Sequence, residues 1–343
     1  MSERSDARLL LSILRGDLAA PGTPPAGARF GDLCRACDVA PTVHAILERA
    51  GRFDLVGADA ERELARARHK CRNDNLLLLA RLEQALDILG AEGIVPIALK
   101  GISFLGRFYP SFDARTLDDA DLLVAPAEAA RAIEALERAG WTGPRGAERT
   151  HWLRSSFEMP LTSPGPVTVL LEIHWSLGQE QRYDIPVGEI LARTVPQEIA
   201  GRPARRLDDH DAAAHLLLHH VQHYFDRRLK WAVDLASIVA DPGFDWSEVA
   251  RRLRSWKGSG AASLALRHLR KVHPPASPDE ARRVLPVAAW RRAILLPFRS
   301  PDPVDFFRGT RWRIVQLLLA AAALESPADL PGYLRHRARR DRD

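Results

Sequence analysis

Three aspartates stand directly before a short apolar run in the segment RTLDDADLLV, residues 115–124. Asp is a poor strand former, and carboxylates this close to one another repel. The crowding is therefore costly unless a counter-charge holds the carboxylates together. This segment constrains the fold, because it requires a buried strand and an acidic cluster in the same short stretch.

The apolar run after the aspartates reads as a strand, and side chains alternate between the two faces of a strand. Asp119 and Asp121 then share one face, while the apolar residues between and after them point to the core. Two neighbouring carboxylates favour a divalent counter-ion, and Mg²⁺ suits all-oxygen ligands. The alternative is a solvated strand start, in which Asp118 caps or turns the chain and the other two aspartates face water.

A candidate phosphate site lies upstream in ALKGISFLGRFY, residues 98–109, which reads as a strand followed by Lys100, Gly101 and a helix opening at Ser103. Gly lets the backbone approach a ligand closely, and a helix N-terminus offers N–H groups to an anion. This turn is where we expect a triphosphate. The alternative is a glycine that ends the strand for local reasons only.

A third acid occurs in VTVLLEIHWSL, residues 167–177, a mostly apolar strand that carries Glu172 and, near its end, His174. A carboxylate in such a strand needs a partner. If this strand lies beside the aspartate strand, Glu172 completes a three-carboxylate cluster with Asp119 and Asp121. The alternative is an edge strand whose Glu faces water.

Helical periodicity dominates both ends of the chain and predicts three regions: an N-terminal helical region (1–88), a central α/β unit (89–180) and a C-terminal helical domain (181–343). The central unit follows the order strand, helix, strand, helix, hairpin. Its predicted strands are IVPIALKG (94–101), DADLLV (119–124), and a hairpin formed by THWLRSSFEMPLTS (150–163) with GPVTVLLEIHWSL (165–177).

The order of four motifs resembles the uncharacterised nucleotidyltransferase family of the DNA polymerase β-like nucleotidyltransferase superfamily. These motifs are ALKG, RTLDDADLLV, a helix ending in AGW, and LEIHW. The resemblance covers roughly residues 85–240, including the helical stretch HLLLHHVQHYFDRRLKWAVDLASIV. It implies an α+β fold, with a small mixed-sheet nucleotidyltransferase core flanked by the N-terminal and C-terminal helical regions.

For the site, the resemblance implies two Mg²⁺ ions, with Mn²⁺ as a possible substitute, shared by Asp119 and Asp121. It implies that Glu172 is the third carboxylate, so that all three acids are metal ligands and catalytic residues. It also implies that Gly101 and Ser103 anchor the phosphates of an NTP substrate.

Three positions depart from the superfamily pattern. Ile102 follows the glycine where Gly or Ser is usual, and Glu172 stands where Asp is frequent. Asp118 occupies a position that is commonly Gly in relatives, and we assign it no role.

Four further residues near these motifs have predicted roles. We expect Lys100 and Arg115 to contact phosphates, Lys as a point charge and Arg as a fork, with plain surface charges as the alternative. Trp231 and Asp234 are interpreted first as helix-packing and capping residues, and only second as substrate contacts.

Histidines recur in DAAAHLLLHHVQHYF, where Asp211, His215, His219 and His223 follow one another at four-residue steps on one helix face. We expect this face to pack towards the cleft. His219 is predicted, like His174, to bind the nucleotide, and one or two of these histidines to contact base, ribose or acceptor. A transition-metal site at His215 and His219 is the less favoured alternative.

The predicted function is that of an enzyme, a nucleotidyltransferase that moves a nucleoside monophosphate from an NTP to an acceptor hydroxyl or phosphate by a two-metal mechanism. Two alternatives stay open: a non-catalytic nucleotide-binding or regulatory module of the same fold, and a toxin-like nucleotidyltransferase that modifies RNA. The sequence does not identify the acceptor as a small molecule, a peptide, a protein or RNA.

Charge gives no strong sign of a nucleic-acid partner. The net charge of +5 is small for 343 residues, and the one dense basic run, RHRARRDRD at the C-terminus, reads as a solvated terminus. The apolar run IVQLLLAAAAL (314–324) is too short to cross a bilayer, so no membrane partner is predicted.

Cysteine usage predicts a reducing compartment, with the cytoplasm as the expected location, because three cysteines are too few for a disulfide scaffold. Cys34 and Cys37 form a CxxC pair. We interpret them as small buried thiols, with a zinc site as the less favoured alternative.

Overall fold

The computed structural model describes residues 3–18, 27–109, 111–223, 227–294 and 313–333. The helices are α1 (Glu3–Leu14), α2 (Gly27–Ala36), α3 (Ala40–Ala50), α4 (Ala58–Ala91), α5 (Lys100–Phe104), α6 (Ala129–Arg138), α7 (Gly146–Ser155), α8 (Val187–Arg193), α9 (Asp209–Gln222), α10 (Lys230–Ile238), α11 (Trp246–Ser255), α12 (Ser259–Val272), α13 (Asp279–Val284), α14 (Ala289–Ile294) and α15 (Arg313–Ala323). The strands are β1 (Ile97–Ala98), β2 (Asp119–Leu123), β3 (Glu158–Thr162), β4 (Leu170–His174), β5 (Val195–Ile199) and β6 (Arg202–Arg206).

The strands form one mixed sheet in the order β3-β4-β2-β1-β6-β5. The pairs β2/β4 and β1/β6 are parallel, and the remaining neighbours are antiparallel. Helices precede and follow the sheet in the chain. The predicted fold class, an α+β fold with a small mixed sheet between helical regions, is therefore confirmed, and so is the β3/β4 hairpin.

One face of the sheet is apolar and packs against α4 and α6. Ala120 and Leu122 of β2 and Leu171 and Ile173 of β4 belong to the buried cluster on this face. Helix α6 follows a 3₁₀ turn at Pro126–Glu128 and presents its apolar side to the same cluster. The alternation expected from DADLLV therefore holds, because every second residue of β2 is drawn into this core.

The opposite face of the sheet carries the polar residues of β2 and β4 and is turned towards α9 and α10. A second, larger apolar cluster surrounds this region and includes Leu123 of β2 and Leu217 of α9. The helices predicted after residue 208 occur as α9, α10, α11 and α12. Their packing leaves a cleft between the sheet and α9.

Two predicted strands are shorter than expected. Residues 150–155 of THWLRSSFEMPLTS are the end of α7, so the prediction of a strand there is wrong, and β3 begins only at Glu158. The strand formers Thr150 and Trp152 are overruled by tertiary context, since α7 packs beside β3. In IVPIALKG only Ile97 and Ala98 pair, because Pro96 lacks the N–H that a ladder needs.

Two strands appear where only helices were predicted. Strands β5 and β6 lie within the region 181–343 and extend the sheet to Arg206, past the expected end of the core. They are joined by Ala200 and Gly201, both with positive φ (50° and 71°), the geometry of a two-residue hairpin turn. The strands escaped prediction because their charged residues and prolines are uncommon in strands. The boundaries at 88 and 180 remain predictions.

Within the described part of the chain, no helix has both the length and the apolar character that crossing a membrane would require. The basic run at residues 335–343 lies outside the described residues. Cys34 and Cys37 are both buried, as expected, and burial raises the pKa of the Cys34 thiol well above its ordinary value.

Candidate active site

The parallel pairing of β2 and β4 brings the predicted acids together. Asp121 is the direct partner of Glu172 in the ladder, and Asp119 is the partner of Leu170. Because Asp119, Asp121 and Glu172 lie on the same face, their carboxylates all open into the cleft. The predicted adjacency of the two strands is confirmed.

The cleft has a cavity volume of about 130 Å³, and of about 720 Å³ when the open solvent at its mouth is counted. The sheet side contributes the acids and His174, and the turn after β1 contributes Lys100 and Gly101. Histidines of α9 and Trp231 of α10 line the other side. The cleft is therefore strongly polar and contains charges of both signs.

Asp121 is the most enclosed of the three acids, with an exposed fraction of 2%. Its Oδ1 lies 2.5 Å from Lys100 Nζ and 3.0 Å from His174 Nε2. Burial alone would raise the pKa of Asp121, but Lys100 and His174 lower it overall. Asp121 is therefore an anion that two basic side chains hold in place.

Asp119 forms no ion pair with any residue that the structure describes, and it behaves in the opposite way. Burial raises the pKa of Asp119 to about 7, and the charges of Asp121 and Glu172 add to the rise while Lys100 opposes it. Asp119 is therefore a buried carboxyl beside two other acids, and a bound cation would favour its ionised form.

Among the described residues, the one set of three side chains with metal-ligand spacing is Asp121, Glu172 and His174. One ligand atom of each lies within 4.8 Å of the others. Asp119 lines the same cleft but stands outside this set. The predicted zinc alternative at His215 and His219 does not appear as such a set within the described ranges.

The turn after β1 is tight. Lys100 has a positive φ of 46°, and α5 begins at this residue. A Cβ on Gly101 would collide with the guanidinium of Arg115 and with Leu117, so a larger residue fits only if these side chains shift. Ser103 is buried and its Oγ donates to the carbonyl of Lys100 (2.8 Å), and it does not line the cleft. Of the residues predicted to bind phosphate in this turn, Lys100 and Gly101 line the cleft and Ser103 does not.

Arg115 reaches the cleft but its guanidinium is already engaged. Nε and Nη2 bind the carboxylate of Asp234 of α10, and Nη1 donates to the carbonyl of Thr116 (2.8 Å). Tyr109 Oη donates to the same carboxylate at 2.6 Å. Asp234 does not cap α10, so that part of its interpretation is wrong, whereas its burial agrees with a packing role. It is the buried counter-ion of Arg115.

Asp118, which had no predicted role, also has a partner. Its Oδ2 lies 2.7 Å from Lys230 Nζ at the start of α10, and the same ammonium lies 2.8 Å from Asp38 Oδ2. Burial opposes ionisation of Asp118, but Lys230 lowers its pKa below the ordinary value overall. Asp118 therefore ties α10 to the edge of the cleft.

The histidine face of α9 points into the cleft, as expected, through His215, His219 and His223. Burial lowers the pKa of His215 to about 3, helped by the charges of Lys100 and His174, and lowers that of His219 well below its ordinary value. Both rings are therefore neutral near pH 7. His219 packs edge-on against Trp231 with ring centroids 4.5 Å apart, so Trp231 belongs to the cleft as well as to the core.

Sequence reasoning missed Glu158, which lines the cleft from β3 and is the ladder partner of His174. It also missed Phe157 beside it. The available signal was a lone acid two residues before Pro160 in a run otherwise apolar at alternate positions. A correct β3/β4 register would have placed that acid next to His174.

Comparison with known proteins agrees with this geometry. The sequence model of a family described as uncharacterised nucleotidyltransferase matches residues 27–274. No curated protein matches the chain at a significant level. A solved structure, "Crystal structure of an antigenic nucleotidyltransferase-like protein from Paracoccidioides brasiliensis", is similar with a TM-score of 0.37 and 13% identity, over 60% of this chain and 95% of that chain. This distant likeness carries no argument, but the family match spans well over half of the chain. The resemblance seen in the motifs is therefore confirmed, and the protein belongs to the uncharacterised nucleotidyltransferase family.

Proposed function

We propose that the protein is a magnesium-dependent nucleotidyltransferase that moves a nucleoside monophosphate from an NTP to an acceptor hydroxyl or phosphate. One observation carries the proposal: the register that sets Glu172 opposite Asp121, in a cleft shared with Asp119 and Lys100. In a chain of a nucleotidyltransferase family, convergent carboxylates beside a lysine and a glycine turn fit a site for a metal-bound triphosphate.

The donor set fits divalent ions. Asp119, Asp121 and Glu172 offer carboxylate oxygens on one face, and burial together with the charges of Asp121 and Glu172 raises the pKa of Asp119, which a bound cation would lower again. These three residues would hold Mg²⁺, or Mn²⁺ in its place. When bound, a pair of such ions activates the attacking hydroxyl and neutralises charge on the triphosphate and on the leaving pyrophosphate.

Lys100 is the candidate for direct contact with the triphosphate. Burial alone would lower the pKa of its ammonium, but Asp121, Asp119 and Glu172 raise it overall, so Lys100 stays charged. Gly101 lines the cleft next to it, and a larger residue there would force the side chains of Arg115 and Leu117 to shift. Arg115 lines the same end of the cleft and adds positive charge while Asp234 fixes its orientation.

Glu172 is the candidate general base that would take the proton from the attacking hydroxyl of the acceptor. Its side chain keeps an exposed fraction of 18%, against 3% for Asp121, so it is more accessible to an incoming group than Asp121 is. Asp121, held by two basic side chains, is the less suitable base. Removal of the acceptor proton at Glu172 is general-base catalysis.

The neutral histidines of α9 are candidates for contacts with base, ribose or acceptor. An uncharged imidazole offers one donor and one acceptor, which suits hydroxyl and ring-nitrogen partners. His215 and His219 are more than nine-tenths buried and line the cleft. The acceptor is a small molecule, a peptide, a protein or RNA.

The decisive test is an NTP-turnover assay, in which the purified protein is incubated with Mg²⁺, a cell extract and each labelled NTP in turn. The extract is then fractionated to find which of its fractions carries the label. Asp119→Asn and Asp121→Asn should abolish transfer while the fold is retained. Asp74→Asn, at an exposed site on α4 outside the cleft, is the matched control and should keep full activity. Unchanged transfer in Asp119→Asn would rule the mechanism out.

The same material separates the alternatives. A non-catalytic module would bind Mg²⁺ and NTP in calorimetry without any transfer. An RNA acceptor would show a steep loss of binding with added salt, because RNA binding releases counter-ions.

A further inference from the structure

His174 lies among the carboxylates of the cleft with an exposed fraction of 1%. Its Nε2 is 3.0 Å from Asp121 Oδ1 and 3.6 Å from Glu172 Oε2. These three side chains are the set whose ligand atoms lie within 4.8 Å of one another. An imidazole nitrogen therefore stands where a third ligand to one ion would stand.

The other nitrogen of the same ring is buried and lies near a carboxylate, without a hydrogen bond to any described residue. His174 Nδ1 lies 3.3 Å from Oε2 of Glu158, the residue opposite it in the β3/β4 ladder. Metal-ligating histidines almost always present their second N–H to a carboxylate, a carbonyl or water, which fixes the ring and the tautomer. Glu158 is in the position of such an orienting group.

A purely structural ion pair does not account for this arrangement. Asp121 already has a counter-charge, because Lys100 Nζ is 2.5 Å from the same Oδ1 that His174 approaches. His174 is therefore not needed to neutralise Asp121, and burying a second basic group at this oxygen adds desolvation cost. A ring that faces Asp121 and Glu172 on one side and Glu158 on the other is better explained as a ligand.

We propose that His174 Nε2 ligates a divalent ion together with Asp121 and Glu172, that Glu158 orients the ring through Nδ1, and that this nitrogen ligand makes the site prefer Mn²⁺ over Mg²⁺. The inference rests on the proposed function only in taking the cleft to be a divalent-ion site.

The preference follows from ligand chemistry. Mg²⁺ is a hard ion that takes oxygen ligands and keeps several waters. Mn²⁺ also prefers carboxylates, but it belongs to the Irving–Williams series of first-row metals that bind mixed nitrogen and oxygen sites, and it is softer than Mg²⁺. Two carboxylates with one imidazole therefore favour Mn²⁺, whereas three carboxylates alone would serve either ion.

The test is pulsed EPR of Mn²⁺ bound to the full-length protein without nucleotide, with Mn²⁺ and Mg²⁺ affinities measured by calorimetry. Coordinated imidazole gives a ¹⁴N modulation that changes to that of ¹⁵N when the histidines are labelled. We expect this modulation in the unmodified protein and its loss in His174→Gln. His215→Gln is the matched control, since His215 is a buried histidine of the same cleft outside the ligand set, and it should keep the modulation.

Affinities should change in a selective way. His174→Gln should raise the Kd for Mn²⁺ at least about 10-fold, since even outer-shell partners are worth about 10–100-fold, and should leave the Kd for Mg²⁺ within about twofold. Glu158→Gln should raise the Kd for Mn²⁺ by about 10-fold while keeping the ¹⁴N modulation. The spectrum of the unmodified protein requires no variant, so a variant that fails to fold does not remove the test.

Absence of ¹⁴N modulation in the unmodified protein, its persistence in His174→Gln, or equal weakening of both ions would overturn the inference. NTP turnover of the unmodified protein is measured alongside. If the protein transfers nucleotides but shows no nitrogen ligand, this inference is overturned and the proposed function stands. If the protein binds Mn²⁺ through His174 but transfers nothing, the proposed function is overturned and this inference stands.

Discussion

Asp234 of α10 binds the guanidinium of Arg115 at two points, with Nε 2.9 Å from Oδ1 and Nη2 2.6 Å from Oδ2. Both side chains are nearly inaccessible to solvent, at 0% and 3%. Arg115 belongs to the segment before β2, so the pair joins the helical region to the strand that carries the acids. The cleft is therefore held together partly by one buried ion pair.

We expect Asp234→Ala to lower the free energy of unfolding by about 3–5 kcal/mol, because Arg115 would be left as a buried charge without its partner. Urea unfolding measures the change. Asp74→Ala, which breaks the exposed pair with Lys70 on α4, should stay within about 0.5 kcal/mol. Equal effects of the two substitutions would mean that Arg115 finds another partner.

Gly101→Ala should destabilise the protein by about 1–3 kcal/mol and reduce nucleotide transfer, because the added methyl group collides with Arg115 and Leu117 beside Lys100. Gly90→Ala on α4 is the control, since nothing lies within 4 Å of its Cβ position. That substitution should be neutral or stabilise the helix by about 0.5–1 kcal/mol. A tolerated Gly101→Ala would show that the turn can relax.

The stability of the metal-free protein should depend on pH through Asp119. Its pKa is about 7 in the folded state against an ordinary value of 3.8, so the folded state holds the proton more tightly and stability falls as pH rises between these values. Asp119→Asn should remove this fall. Above pH 7 in EDTA the variant should be the more stable protein, by at most a few kcal/mol at about 1.4 kcal/mol per pKa unit.

His174 should add a second pH dependence at higher pH. Burial lowers its pKa, but the bonds to Asp121 and Glu172 and the charge of Glu158 raise it to about 9, from an ordinary 6.5. Its contribution to stability is therefore complete below pH 6.5 and is lost as pH rises through about 9. The free energy of unfolding is measured in EDTA below pH 6.5 and above pH 9. It should fall between these pH values in the unmodified protein and in Asp119→Asn, but not in His174→Gln.

Lys100→Met should have opposite effects on metal binding and on catalysis. Without the ammonium, Asp121 Oδ1 is more available to a cation, so Mn²⁺ should bind more tightly in the absence of nucleotide. Transfer should fall by about 10²–10³-fold, the usual loss when one charge-stabilising donor is removed. Calorimetry and the labelled-NTP assay measure the two effects, and weaker Mn²⁺ binding by a folded variant would contradict the assignment of Lys100.

Much of the site was predictable from local patterns. Alternation in β2 placed Asp119 and Asp121 on one face, and the lone acid in an apolar strand singled out Glu172. Arg115 was predicted as a phosphate contact, but the pattern around it could not show that Asp234, 119 positions away, binds its guanidinium. Ser103 was chosen for its place in a motif, yet its hydroxyl is used within the turn.

The sequence by itself determined the helices after residue 208, the strand faces and the family, because periodicity and motif order are properties of neighbouring residues along the chain. Only the tertiary structure decided which acid lies opposite Asp121, that Glu158 faces His174, and that β5 and β6 join the sheet. Strand register and buried ion pairs depend on which distant segments pack together. A shift of one residue would turn Glu172 away from the cleft without changing any local pattern.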